Sequence, residues 1–68
     1  MATNLHGNLI VEFPPRCKPL PDGYRVIQLD SGYYLWEMDH PTKCVEGAIS
    51  LDRWWVRRCA FAHHAGKI

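Results

Sequence analysis

The chain reads as an α+β domain: a small three-stranded antiparallel sheet packed by one C-terminal helix, with an N-terminal apolar run able to add a fourth strand. Three observations predict it. Residues 24–30 and 33–38, Y-R-V-I-Q-L-D and Y-Y-L-W-E-M, are strand-like runs meeting at Ser31-Gly32. Residues 44–49, C-V-E-G-A-I, form a weaker third run. Residues 50–65 then switch to helical spacing of apolar side chains. At 68 residues the chain is one domain with a thin core. Three Trp, three Tyr and two Phe compensate, because each aromatic buries a large area.

Residues 1–8 are polar and are expected to fray. Residues 8–13, N-L-I-V-E-F, suit a strand at a sheet edge, and Pro14-Pro15 ends it. Residues 13–22 hold four of the five prolines and read as a stiff, extended connector laid across the domain. No two of these prolines stand three apart, so the segment lacks the P-x-x-P spacing of an SH3 ligand. Asp22-Gly23 is a turn into the meander, residues 24–49.

The hairpin allows two registers. A two-residue Ser31-Gly32 turn pairs Leu29 with Tyr34, Ile27 with Trp36 and Arg25 with Met38, and it sorts the apolar residues better. A three-residue Asp30-Ser31-Gly32 loop with Gly32 left-handed sets Arg25 opposite Glu37 and Val26 opposite Trp36. The first is preferred. It leaves Tyr24 and Tyr33 on the open sheet face. Residues 39–43 form the next loop, and Gly47 marks a bulge or a close approach.

In the helix, residues 50–65, Ser50 is the expected N-cap and Gly66 the stop. Asp52 lies at the positive end of the dipole and His63, His64 and Lys67 at the negative end. Leu51, Trp55, Cys59 and Ala62 share one face, flanked by Trp54 and Phe61. These are expected to meet Ile27, Tyr34, Trp36 and Met38. Arg53, Arg57 and His64 take the other side, and Arg58 borders the apolar stripe with its stem on Trp54 or Trp55.

Net charge is +1, but residues 23–49 are acidic and residues 50–68 basic. An acidic sheet with a basic helix fits a polar protein interface at least as well as a nucleic-acid site. Three cysteines without repeating spacing argue against a disulfide framework and for a reducing compartment. The N-terminus lacks a signal-peptide pattern, and no apolar run reaches membrane-spanning length, so a soluble, cytoplasmic chain is expected.

Cys59 and His63, four apart on a helix, can face one metal ion, and Cys44 and Cys17 could complete a zinc site. Without a C-x-x-C, the reading that Cys59 is core and His63 satisfies the helix end is preferred. Cys17 lies between Arg16 and Lys18, an electropositive setting, yet no base is specified for it. There are no paired carboxylates and no phosphate-cradling glycine loop. No enzyme, no metal and no cofactor is therefore expected.

Binding remains. Tyr24, Tyr33, Trp54, Arg53, Arg57 and Arg58 form the expected protein-binding set, because aromatics and arginine dominate interface cores. A homodimer through the same surface is one form of it. The alternative is a DNA or RNA surface built from Arg53, Arg57, Arg58, His64 and Lys67. A sheet-face reader is disfavoured, since Gln28, Asp30 and Glu37 would face phosphates with only Arg25 positive.

The D-G-Y-R-V-I…Y-Y-L-W-E hairpin followed by D-R-W-W-V-R-R-C-A-F, in so short a chain without a catalytic signature, resembles the small accessory proteins of bacteriophages and prophages. The resemblance spans residues 22–64. It implies binding to a host protein, with redirection or inhibition of that protein, and nucleic-acid binding in some cases. It implies no particular site residues.

Overall fold

The computed structural model describes residues 2–4 and 6–66. Four antiparallel strands, β1 (Leu9–Ile10), β2 (Tyr24–Gln28), β3 (Tyr34–Asp39) and β4 (Cys44–Ser50), precede one helix, α1 (Arg53–His64). The strands stand in the sheet in sequence order. Helix α1 lies across β2, β3 and β4. The architecture is α+β, and the fourth, N-terminal strand is present, though only two residues long.

Residues 2–4 do not fray as expected. They fold back along β1, with the Ile10 N–H bonded to the Ala2 carbonyl at 3.0 Å and the Asn4 N–H to the Asn8 carbonyl at 2.9 Å. The β1 edge of the sheet is therefore covered by the chain itself. The outer edge of β4 is not paired by any strand among the described residues.

The preferred hairpin register is not the one formed. Arg25 stands opposite Glu37 and Val26 opposite Trp36. Asp30-Ser31-Gly32 makes the three-residue loop, with Gly32 at φ 89°. The Leu29 N–H closes the loop onto the Tyr33 carbonyl at 2.8 Å. A one-residue slip sends every side chain to the opposite face. In this register Tyr24, Val26, Tyr34, Trp36 and Met38 line the helix side. Ile27 and Leu35 go to the far face, where both are nonetheless buried. The expectation treated that far face as wet; apolar residues on it find cover, so they do not dictate the register.

The core is Val26 and Trp36 from the sheet with Val56 and Ala60 from the helix. Trp36 is seated against Gly47: a Cβ built at Gly47 would fall inside the indole ring. Gly47 and Ala48 together stand opposite Trp36, since Glu46 pairs with Glu37 and Ile49 with Leu35. This is a β-bulge, with two residues facing one. The indole Nε1–H of Trp36 is buried there without a partner among the described residues.

Two helix expectations are corrected. The N-cap is Asp52, whose carboxylate accepts from the N–H groups of Trp54 (2.9 Å) and Trp55 (3.2 Å). Ser50 ends β4, and its hydroxyl accepts from the Asp52 N–H. The N-cap therefore falls two residues later than predicted. Its sheet-facing side is also rotated: Val56 and Ala60 are buried, with Cys59 beside them, while Leu51, Trp54 and Trp55 stay 65%, 44% and 45% exposed. The sheet already supplies Trp36 and Tyr24 beneath the helix. A close-packed interior then has room only for small residues above them.

Gly47→Ala is expected to destabilise the domain by about 1–3 kcal/mol or more, because the new methyl must displace a buried indole. Exposed Ala48→Ser, one residue on, should change stability by less than about 0.5 kcal/mol. Urea unfolding of the two variants measures both.

Candidate interaction surfaces

The helix positions the arginines differently from the expectation of one basic face. Arg57 is half-buried in an aromatic nest, its guanidinium carbon 4.9 Å from the Phe61 ring centre, 5.4 Å from Phe13 and 5.9 Å from Trp54. It also donates to the Lys18 carbonyl. Cation–π contact and a charge-assisted hydrogen bond thus fasten the proline-rich connector to the helix. Arg57 is occupied inside the fold and is not a free basic side chain. Lys18 adds a second cation on the Phe61 ring, its ammonium 5.7 Å from the ring centre.

Trp54 packs on Phe13 at 4.9 Å between ring centres, so its indole is held while much of it faces water. Arg53 and Arg58 are exposed and have no ion-pair partner among the described residues. At about 100° per residue they point about 140° apart around the axis, so they do not form a single stripe. His64 is exposed but sits edge-on to Tyr24 at 5.6 Å. Lys67 lies outside the described residues.

Tyr24 is not on the open sheet face. The realised register turns it under the helix, where its hydroxyl is hydrogen-bonded to His63 Nδ1 at 2.6 Å. His63 stacks against Trp36 at 4.6 Å. His63 therefore bonds across to the sheet instead of satisfying its own helix end. Tyr33 is exposed on the loop side of β3, as expected. The structure thus brings Trp54 and Arg57 together and leaves Tyr24 and Tyr33 apart from them.

The far face of the sheet holds a polar cluster. Glu37 is only 2% exposed. Its Oε1 accepts from Arg25 Nε at 2.7 Å and from Asn4 Nδ2 at 2.9 Å, and its Oε2 accepts from the Cys44 thiol at 3.4 Å. Arg25 also grips Asp39 with both terminal nitrogens at 3.2 Å. Burial pushes the Glu37 carboxyl upward, but the bonds from Asn4, Arg25 and Cys44 together outweigh it and hold the group below its ordinary value. The Arg25 guanidinium is held above its ordinary value, chiefly by its bonds to Asp39 and against the effect of burial. Burial, then the bond to Glu37, pushes the Cys44 thiol up. A protonated thiol that donates to a carboxylate is a poor nucleophile. Among the described residues no group of three or more His, Cys, Asp or Glu is placed to hold a metal ion.

Two features were missed by sequence reasoning. One is buried Glu37, which in a strand looks like an ordinary solvent-facing acid; its pairing with Arg25 follows from the register alone. The other is the set of exposed apolar residues where β4 meets α1: Ile49, Leu51 and Trp55. The signal available was Asp52, as good an N-cap as Ser50, which places Leu51 before the helix and not on its packed face. A shallow groove of 340 Å³ lies between β1 and the start of α1, with Ile10, Gln28, Tyr34 and Arg53 on its walls. No helix among the described residues is long and apolar enough to cross a membrane.

Two tests follow from these contacts. Glu37 is more acidic folded than unfolded, so its contribution to stability is fully present above the ordinary glutamate range. That contribution is lost as pH falls through the lower folded-state value. Glu37→Gln should flatten the acid limb of a stability–pH curve, and Arg25→Ala should cost about 3 kcal/mol by leaving a buried carboxylate without its cation. Arg57→Ala should cost about 1–3 kcal/mol and speed tryptic cleavage after Arg16, whereas Arg53→Ala should shift stability by less than about 0.5 kcal/mol.

No protein-family model matches the chain, and no curated protein or solved structure is significantly similar to it.

Proposed function

We propose that this chain is a non-enzymatic, cytoplasmic protein-interaction module that binds through the outward side of α1, as a phage-type modulator of a host protein would. The observation that carries the reading is Trp54. It is a large indole left 44% exposed, yet fixed from behind by Phe13 and Arg57. An anchor already held in one orientation loses little entropy on binding, and Trp and Arg are the residues most often dominant at interface centres.

The charge around it names the chemistry of the partner. Arg58 is unpaired among the described residues, and Lys18 and Arg57 lie beside the aromatic nest. The nearby carboxylate of Asp52 is engaged by the helix N-terminus. The surface thus suits a protein segment with an apolar socket for the indole and an acidic rim for the arginine.

The test uses the tagged chain and bacterial lysate treated with nuclease, at low and moderate salt. The expected result is one protein retained in stoichiometric yield, lost with Trp54→Ala or Arg58→Glu, while the far-UV circular dichroism of both variants stays that of the wild type. Retention that disappears with nuclease and falls steeply with salt would mean a nucleic-acid surface instead. Retention unchanged in both variants would remove the helix face from the reading.

A further inference from the structure

The two edges of the sheet are treated unequally. Residues 2–4 cover β1, but β4 presents seven residues to solvent on its outer side. Bare strand edges are pairing sites unless something blunts them. The two most exposed large apolar residues among those described, Leu51 at 65% and Ile49 at 54%, lie at the end of this one.

Which backbone groups face outward follows from the ladder. The Leu29–Tyr33 and Gly23–Asp39 bonds show that odd-numbered residues of β3 turn toward β2. Tyr34, Trp36 and Met38 therefore turn toward β4, where they meet Ser50, the bulge and Val45. That leaves the N–H and C=O groups of Cys44, Glu46 and Ile49 pointing away from the sheet. The spacing from Glu46 to Ile49 is three residues, because the bulge at Gly47-Ala48 adds one.

That extra residue selects the occupant. A regular strand laid along β4 would match the outward groups on one side of the bulge and miss them on the other. A second copy, laid antiparallel, carries the same insertion at the same place. We propose that two copies of this chain pair β4 against β4 about a two-fold axis between Gly47 and Ala48, making one continuous eight-stranded sheet. In this register Glu46 faces Ile49 of the second copy and Cys44 faces Leu51, each pair on the same sheet face. No two like charges stand opposite each other. Carried one residue further, the register sets Lys43 across from Asp52, opposite charges at both ends of the edge. The contact is isologous, as a two-fold interface must be. It uses a surface separate from Trp54 and does not depend on the function proposed above.

The experiment is sedimentation equilibrium of the full chain over a concentration series, with three variants. The wild type is expected at twice the 7.9 kDa chain mass. Ile49→Lys puts a charge into the pairing, and Glu46→Pro removes an outward N–H that the chain's own sheet does not use. Each should raise the dimer dissociation constant at least tenfold while circular dichroism shows the fold retained. Leu51→Cys should form an intermolecular disulfide with Cys44 under mild oxidation, since directly paired strand residues lie about 5.5 Å apart at Cα, within disulfide range. That cross-link should vanish when Cys44→Ser is added. A wild type that stays monomeric up to about 1 mM overturns the proposal. So does a dimer indifferent to both edge variants, or a Leu51→Cys cross-link that does not require Cys44.

Discussion

The close seating of the Trp36 indole against Gly47 is the contact on which the rest depends. It sits at the middle of the sheet, under the helix, and it works only because residue 47 has no side chain. The ring forces β4 to carry one residue more than β3 at that point. The same ring fills the space beneath α1, so the helix must offer Val56 and Ala60 and turn its own tryptophans outward. A single large residue in the sheet thus sets the strand register, the helix rotation and the identity of the exposed surface.

The far face is organised by a different constraint. A carboxylate can be buried only if its charge and its lone pairs are met. Glu37 meets that condition through a neighbouring strand, the next strand and the N-terminal turn: Arg25, Cys44 and Asn4 respectively. The N-terminal residues are thereby tied to the third strand, and Ile27 and Leu35 are buried on that same face. What looks like a scatter of polar residues is a clasp.

Much of this was legible in the sequence. Strand-like composition, turn residues and the break at Pro14-Pro15 give three short strands, an N-terminal run able to add a fourth, and a helix, in the right order. The Pro-rich segment is fastened to the helix through Phe13 and Lys18, but it is not extended throughout: the Cys17 N–H turns back to the Pro14 carbonyl at 2.9 Å. The register did not read correctly, because two loops of nearly equal plausibility share Ser31-Gly32, and the deciding fact is that both sheet faces are covered. The helix face was misread for a related reason. A helical wheel gathers Leu51, Trp55 and Cys59 into one stripe, but it assumes that bulky residues point inward. It cannot know that the sheet has already filled the space. Arg57 shows the limit for the site: an arginine in a basic helix reads as solvated, and only the fold reveals Phe13, Trp54 and Phe61 around it.

The order of strands along the chain has a kinetic consequence. Each strand pairs with the one before it, and the helix follows the last strand after two residues. Every step of the meander closes a short loop, so little entropy is lost before a contact forms. Local pairing of this kind lowers contact order, and lower contact order goes with faster folding. The side-chain hydrogen bonds that span the greatest separations are Asn4 with Glu37, Tyr24 with His63 and Arg57 with Lys18. Those three join the N-terminus, the sheet and the connector to elements far along the chain. They are the last that chain geometry makes affordable, and they are what locks an early, local sheet into one finished domain.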